Sequence, residues 1–192
     1  MPVGSLVTAG LGAVLLLAGC GSRGVDWSAP ENPLLREESA AKDGGVELQY
    51  WSLMDSPCKP IYDALSDFEH YREFIPGVDN TSLLAASGDT KTILIAQRVI
   101  GRQNNAKVEW KLDPAKPRIE FKTLASDVSF NSGYYEFEPS PDGKRCLLHT
   151  LFLVKGKEGG GDNVAVDALA QATRDGYVAA AQAVKKRATA AK

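Results

Sequence analysis

The residues of this chain whose types can do chemistry are three cysteines, two histidines and a set of aromatics carried on strand-like segments. His70 lies among charged residues in a short helical stretch. His149 lies in the last strand-like segment. Neither is spaced with cysteines or carboxylates as metal ligands are, so no metal is expected. No Gly-x-Ser-x-Gly elbow precedes a helix, and no glycine loop ends in Gly-Lys-Ser or Gly-Lys-Thr. Gly159-Gly160-Gly161 lacks the following lysine and reads as a linker. No catalytic set is assigned and no cofactor is called for. One dyad, Tyr135 with His149, would be available if both faced the same cavity. The aromatics are the stronger signal. Trp110, Phe121, Tyr135, Phe137 and Phe152 come from successive strand-like segments, and Tyr177 comes from the last helix. Small-molecule pockets are lined by apolar and aromatic side chains with a few polar groups, so these six are candidates for a ligand wall. The same rings would equally serve to fill a core.

The elements that position these residues occupy only part of the chain. From Leu6 to Ala18 there is no charge, and the run is shorter than the ~20 residues a membrane-crossing helix needs. It ends in Leu17-Ala18-Gly19-Cys20. A short apolar run closed by small residues reads as a secretory signal. The last four residues resemble the bacterial lipobox, which implies cleavage before Cys20 and a diacylglycerol on its thiol. Met1 to Ser5 lacks the Lys or Arg of an ordinary signal. Gly21, in place of Asp, resembles the pattern of lipoproteins sent to the outer membrane. The expected division is therefore a signal peptide over 1–19, a lipidated cysteine and flexible tether over 20–44, and a folded domain over 45–192. A flexible tether of that length has a typical end-to-end distance of about 25–30 Å. The formal net charge of −2 argues against nucleic acid as a partner, because phosphate binding needs concentrated positive charge.

Within the domain, Val46 to Trp51 alternates apolar and polar residues as a strand does. Ser56-Pro57 and Pro60 mark a helix start, with Ile61, Leu65 and Phe68 on one stripe. Tyr71 and Phe74 continue into a second short helix, stopped at Pro76-Gly77. Six strand-like segments follow: Thr81 to Ala86, Lys91 to Ile100, Gln103 to Leu112, one around Ile119-Phe121-Thr123, Val128 to Glu138, and Arg145 to Lys155. Ala106, Val108, Trp110 and Leu112 alternate with charged residues, so one sheet face is apolar and the other charged. Val128 and Phe130 have the opposite parity to Tyr135 and Phe137, and a bulge near Ser132-Gly133 would bring both pairs inside. Asp162 is a candidate N-cap for a long last helix whose stripe includes Val166, Leu169, Tyr177 and Val184. Gly176 interrupts that helix pattern and suggests close contact with the sheet or a kink. Lys185, Lys186 and Arg187 stand at its C-terminal end, where cations suit the helix dipole. The reading is an α+β domain: a seven-stranded antiparallel sheet curved around one long helix.

Two runs carry a family resemblance. One is Ser56-Pro57 followed by Ile61-Tyr62-x-x-Leu65-x-Asp67-x-x-x-Tyr71-x-x-Phe74-Ile75-Pro76-Gly77-Val78. The other is Gly133-x-Tyr135-x-Phe137-x-Pro139, then Asp142-Gly143. From about Val46 to Ala188 the chain resembles the START-like superfamily, in its polyketide cyclase and coenzyme Q-binding branch, with the helix-grip fold. That resemblance implies a cavity between the sheet and the C-terminal helix. It also implies that the first and last strands pair, which would bring Cys58 and Cys146 together as a disulfide in an exported domain. The expected function is a membrane-anchored, non-enzymatic lipoprotein binding a hydrophobic small molecule such as a lipid, quinone or polyketide-like compound. Two alternatives stay open: an envelope interaction protein with a packed core, and a cyclase- or hydrolase-like enzyme. Fold alone does not choose among them.

Overall fold

The computed structural model describes residues 24–113, 115–156 and 165–190. The signal peptide, Cys20, Pro114, the Gly159–Gly161 linker and the Asp162 cap lie outside the described residues. In chain order the elements are β1 (Asn32–Lys42), β2 (Gly45–Met54), α1 (Cys58–Ser66), a 3-10 turn (Phe68–His70) and α2 (Tyr71–Phe74). Then come β3 (Val78–Ser87), β4 (Thr90–Val99), β5 (Arg102–Asp113), β6 (Arg118–Ala125), β7 (Ser129–Pro139), β8 (Cys146–Gly156) and α3 (Val166–Ala190). The strands form one antiparallel sheet in the order β1-β2-β8-β7-β6-β5-β4-β3. Helix α3 packs against its inner face, burying Tyr177, Ala181, Val184 and Ala188 on a single stripe.

The sheet has eight strands, not the seven expected, and the extra one lies inside the expected tether. β1 pairs with β2 from Arg36↔Trp51 to Lys42↔Gly45. Most of β1 is exposed, so its sequence carries no apolar alternation and nothing in its pattern marks a strand. It is held by its ladder and by polar contacts instead. The Arg145 guanidinium donates to the carbonyl oxygens of Trp27 and Ala29 and stands 2.6 Å from Asp55. Lys185 pairs with Glu31 at 2.9 Å and Arg174 with Glu37 at 2.6 Å. The basic end of α3 is thus spent partly on inter-element ion pairs, with Arg187 also reaching Asp67.

The bulge that would bring both pairs of β7 inside is absent. Its register with β8 is unbroken from Ser129↔Gly156 to Pro139↔Cys146. Strict alternation therefore holds: Tyr135 and Phe137 turn inward, and Phe130 and Tyr134 turn outward. A further correction concerns Gly176. No atom lies within 4 Å of where its Cβ would stand, so it marks no close contact with the sheet, and α3 continues through it. Cys58 and Cys146 are joined by a disulfide with their Cα atoms 4.8 Å apart. It fixes the start of α1 to the start of β8. At the other end of the sheet, the β4–β5 turn places Ile100 (φ 51) and Gly101 (φ 72) in left-handed conformations. That is the two-residue geometry of a tight hairpin, and it is strained for a β-branched residue.

Candidate ligand cavity

Between α3 and the inner face of the sheet lies a cavity of about 430 Å³. Its blind end is formed by Leu65 of α1, Leu148 of β8 and Val184 of α3. Its mouth lies among the exposed Pro76, Gly77, Arg98, Ile100 and Gly176. No atom lies within 4 Å of the position a Gly176 Cβ would take, so the entrance is open beside it.

The aromatic wall is built by strand parity. Trp110, Phe121, Tyr135 and Phe152 project from β5, β6, β7 and β8 into the cavity, and Tyr177 faces them from α3. Ring centroids are 5.3 Å apart for Trp110–Phe121 and for Phe121–Phe152, and 5.5 Å for Phe121–Tyr135. These separations suit favourable aromatic pairs. Gly133 makes the wall possible. A Cβ there would lie 1.8 Å from the Leu151 carbonyl oxygen and 3.1 Å from the Phe121 ring, so the position accepts only glycine without a shift of the backbone. Phe137 does not belong to the wall. It packs edge-on against Tyr62 at 5.3 Å, beyond the blind end, and is core.

Polar groups at the cavity are few and mostly paired. The Tyr177 hydroxyl is 2.6 Å from Ser52 Oγ, and Ser52 donates to the Pro33 carbonyl at 2.5 Å. Tyr177 is therefore the donor in its own bond to Ser52, and the relay links α3 through β2 to β1. Burial raises the Tyr177 pKa to about 12. Burial also pushes Tyr135 and Tyr71 well up, so all three hydroxyls stay protonated near neutrality. Asn104, at the mouth, accepts from Ser126 Oγ at 2.8 Å and from the Asp127 amide at 3.1 Å, which ties β5 to the β6–β7 turn. Among the described lining residues two solvent-shielded atoms have no partner: Trp110 Nε1 and Asn131 Oδ1. Buried polar groups are almost always paired, and both residues line the cavity. Among the described lining residues Arg98 is the one charged side chain, and it is exposed. The interior therefore offers no charge to offset the cost of burying an ionised group.

Parity also separates Tyr135 from His149. His149 lies on the outer face, stacked on Trp51 with centroids 4.6 Å apart. Its Nδ1 is 3.6 Å from Glu136 and its Nε2 3.2 Å from Gln49. Burial lowers its pKa, with Glu136 opposing the shift. The sheet stands between the two residues and no dyad forms. Among the described residues no group of His, Cys, Asp and Glu is placed to hold a metal.

Sequence reasoning missed Asn104, Asn131, Arg98 and Ile100. Asn104 was within reach, because it continues the Ala106-Val108-Trp110 alternation one step back. Asn131 likewise shares the parity of Gly133 and Tyr135. Arg98 and Ile100 owe their place at the mouth to the hairpin turn, which no local pattern announces.

A curved antiparallel sheet closed by a long C-terminal helix over an aromatic cavity is the START-like, helix-grip architecture. Residues 54–176 match the family described as polyketide cyclase / dehydrase and lipid transport, and the chain belongs to that family. The structure is similar to the Zhui aromatase/cyclase from Streptomyces sp. R1128, with a TM-score of 0.67 and 19% identity over 74% of this chain and 93% of that one. It is similar to a START superfamily protein from Mycobacterium smegmatis, with a TM-score of 0.64 and 18% identity over 76% and 99%. A STAR-related lipid transfer protein from Xanthomonas axonopodis gives a TM-score of 0.59 and 10% identity over 80% and 98%. No curated protein sequence matches the chain. The expectation of a non-enzyme does not stand. An aromatase/cyclase is among the similar structures, and the family joins cyclases and dehydrases with lipid transport.

Proposed function

We propose that the domain takes up an uncharged, largely apolar small molecule in the cavity between sheet and α3. The observation that carries this reading is the cavity of about 430 Å³, within the ~300–1,000 Å³ range of ligand pockets, walled by aromatics and without a charged group in its interior. Lipids, quinones and polyketide-like aromatics share the required chemistry. Native mass spectrometry of the domain from Gly21 onward, with extraction of bound material and a lipid and quinone panel, tests it. A defined apolar adduct is expected. A protein that stays empty against the whole panel overturns the reading. Product analysis of the same incubations separates holding the molecule from converting it.

The second part of the proposal is that Cys20 carries a lipid that anchors the mature protein to the outer membrane. Leu17-Ala18-Gly19-Cys20 and the following Gly21 support it. The Cys58–Cys146 disulfide suits an oxidising compartment outside the cytoplasm. The mass of the N-terminal peptide decides this, because an unacylated Cys20 refutes it. Cys20→Ala is expected to release the protein into the soluble fraction.

A further inference from the structure

We infer that the cavity of the anchored protein opens away from the membrane that holds Cys20, so the ligand is exchanged on the aqueous side and not directly with that bilayer. The inference rests on the proposed lipid anchor and adds an orientation to it.

The chain between anchor and domain is much shorter than the whole stretch up to β2. Trp27 is already fixed, because its carbonyl and that of Ala29 accept from Arg145. Glu31 is fixed by Lys185 at 2.9 Å, and Pro33 by Ser52 at 2.5 Å. Six residues separate Cys20 from Trp27, and fully extended the seven Cα-to-Cα steps span at most about 25 Å.

The place of attachment is set by the sheet. Arg145 directly precedes β8, whose first residue Cys146 pairs with Met54 and Pro139. This is the blind end, where Cys58 and Cys146 are bonded. The mouth lies toward the other end of the strands, because Arg98 and Ile100 stand at the β4–β5 hairpin and the cavity-lining Ser129 and Asn131 pair with Gly156 and Val154 at the far end of β8. β8 has 11 residues, and at 3.2–3.4 Å each the two ends stand about 35 Å apart.

The two lengths decide the pose. With the mouth on the bilayer, Trp27 would stand about 35 Å above the surface on a leash that reaches about 25 Å. With the blind end toward the bilayer the leash is ample. The surface presented there is polar, with Lys59 and Lys144 both at least 80% exposed. Ile100, exposed on the lip of the mouth, is then assigned to the aqueous side.

The experiment uses the full-length acylated protein in vesicles of phosphatidylethanolamine and phosphatidylglycerol carrying a fluorescent acceptor lipid. A donor dye is placed through Lys144→Cys at the blind end or through Gln103→Cys beside the mouth, with the native disulfide intact. Energy transfer to the bilayer is expected to be about twofold or more stronger from position 144, given the strand-length offset. A long Gly-Ser insertion after Gly24 should abolish that difference without touching the fold. Transfer from 103 equal to or above that from 144 in the uninserted protein overturns the inference. If the N-terminal peptide carries no acyl group and the protein stays off the vesicles, it is the anchor reading that has failed, and the orientation falls with it.

Discussion

Replacing Cys58 and Cys146 together with alanine removes the covalent link between α1 and β8. Alanine is preferred to serine because Cys146 has no exposed surface, and a buried hydroxyl without a partner carries its own cost. The bridged cysteines are 88 residues apart. In the chain-entropy description, closing a loop of that length stabilises the fold by about 4.5 kcal/mol. A domain of this size loses about 2–4 °C of Tm per kcal/mol, so the double variant should melt about 9–18 °C lower. Against a typical total of about 5–15 kcal/mol, the loss is a large share of the stability. Thermal unfolding followed by circular dichroism, on the variant and on the native protein with and without reductant, measures it. The reduced native protein should fall with the variant. The structure also ties the bridge to the cavity, because α1 supplies Leu65 to its blind end. Affinity for an apolar fluorescent probe should therefore weaken in the variant well below its Tm. A drop in Tm of less than about 3 °C would show that the loop is already compact when unfolded, and refute the entropy argument. A large drop with unchanged probe binding would refute the link to the cavity.

Four further substitutions, at three positions, test the site and its surroundings. Gly176→Ala should raise Tm by about 2–4 °C, because it recovers about 1 kcal/mol of helix propensity in space that is open. Gly176→Trp should keep the fold and cut probe binding; a Trp variant that binds as well as the native protein would place the entrance elsewhere. Tyr177→Phe breaks the relay to Ser52 and should cost about 1 kcal/mol. The native Tyr177 pKa, raised to about 12, makes its contribution fully present below the unfolded value near 10 and lost as pH rises toward 12, so the variant should lose less on going alkaline. His149 has its pKa lowered by burial. Its contribution is present above the unfolded value of 6.5 and declines as pH falls toward the folded value. His149→Gln should therefore flatten the Tm profile on the acid side of 6.5, and an unchanged slope would contradict the assignment. His70, raised by its bond to Asp67, runs the other way and is common to both proteins.

What the sequence revealed about the fold follows from burial. β2 and β4 to β8 bury one face, so their period of two is written in apolar residues, as in Ala106-Val108-Trp110. α3 buries a stripe, so its period of 3.6 is written in Tyr177, Ala181, Val184 and Ala188. β1 buries little, and its stretch Arg36-Glu37-Glu38-Ser39 reads as a polar linker. Its place is decided by partners far away in sequence: Arg145, Arg174, Lys185 and Ser52. A strand held by long-range polar contacts leaves no local periodic trace.

The cavity lining was legible to the same extent and for the same reason. Five of the six aromatics chosen from the sequence line the cavity, because parity within an unbroken strand fixes which face a ring takes. The sixth, Phe137, has the right parity but lies too far along β7, and depth along a strand is not a periodic quantity. On the same strand the unbroken register leaves Phe130 on the outer face, half-buried. Parity carries one more consequence. The outward turn of His149 means that any proton transfer within the cavity falls to Tyr135, Tyr71 and Tyr177, whose hydroxyls burial holds protonated. In that state they donate hydrogen bonds and do not act as bases. The Tyr71 and Tyr177 protons are already given to the Leu65 carbonyl and to Ser52, so the shielded donor without a partner that the cavity wall presents is Trp110 Nε1.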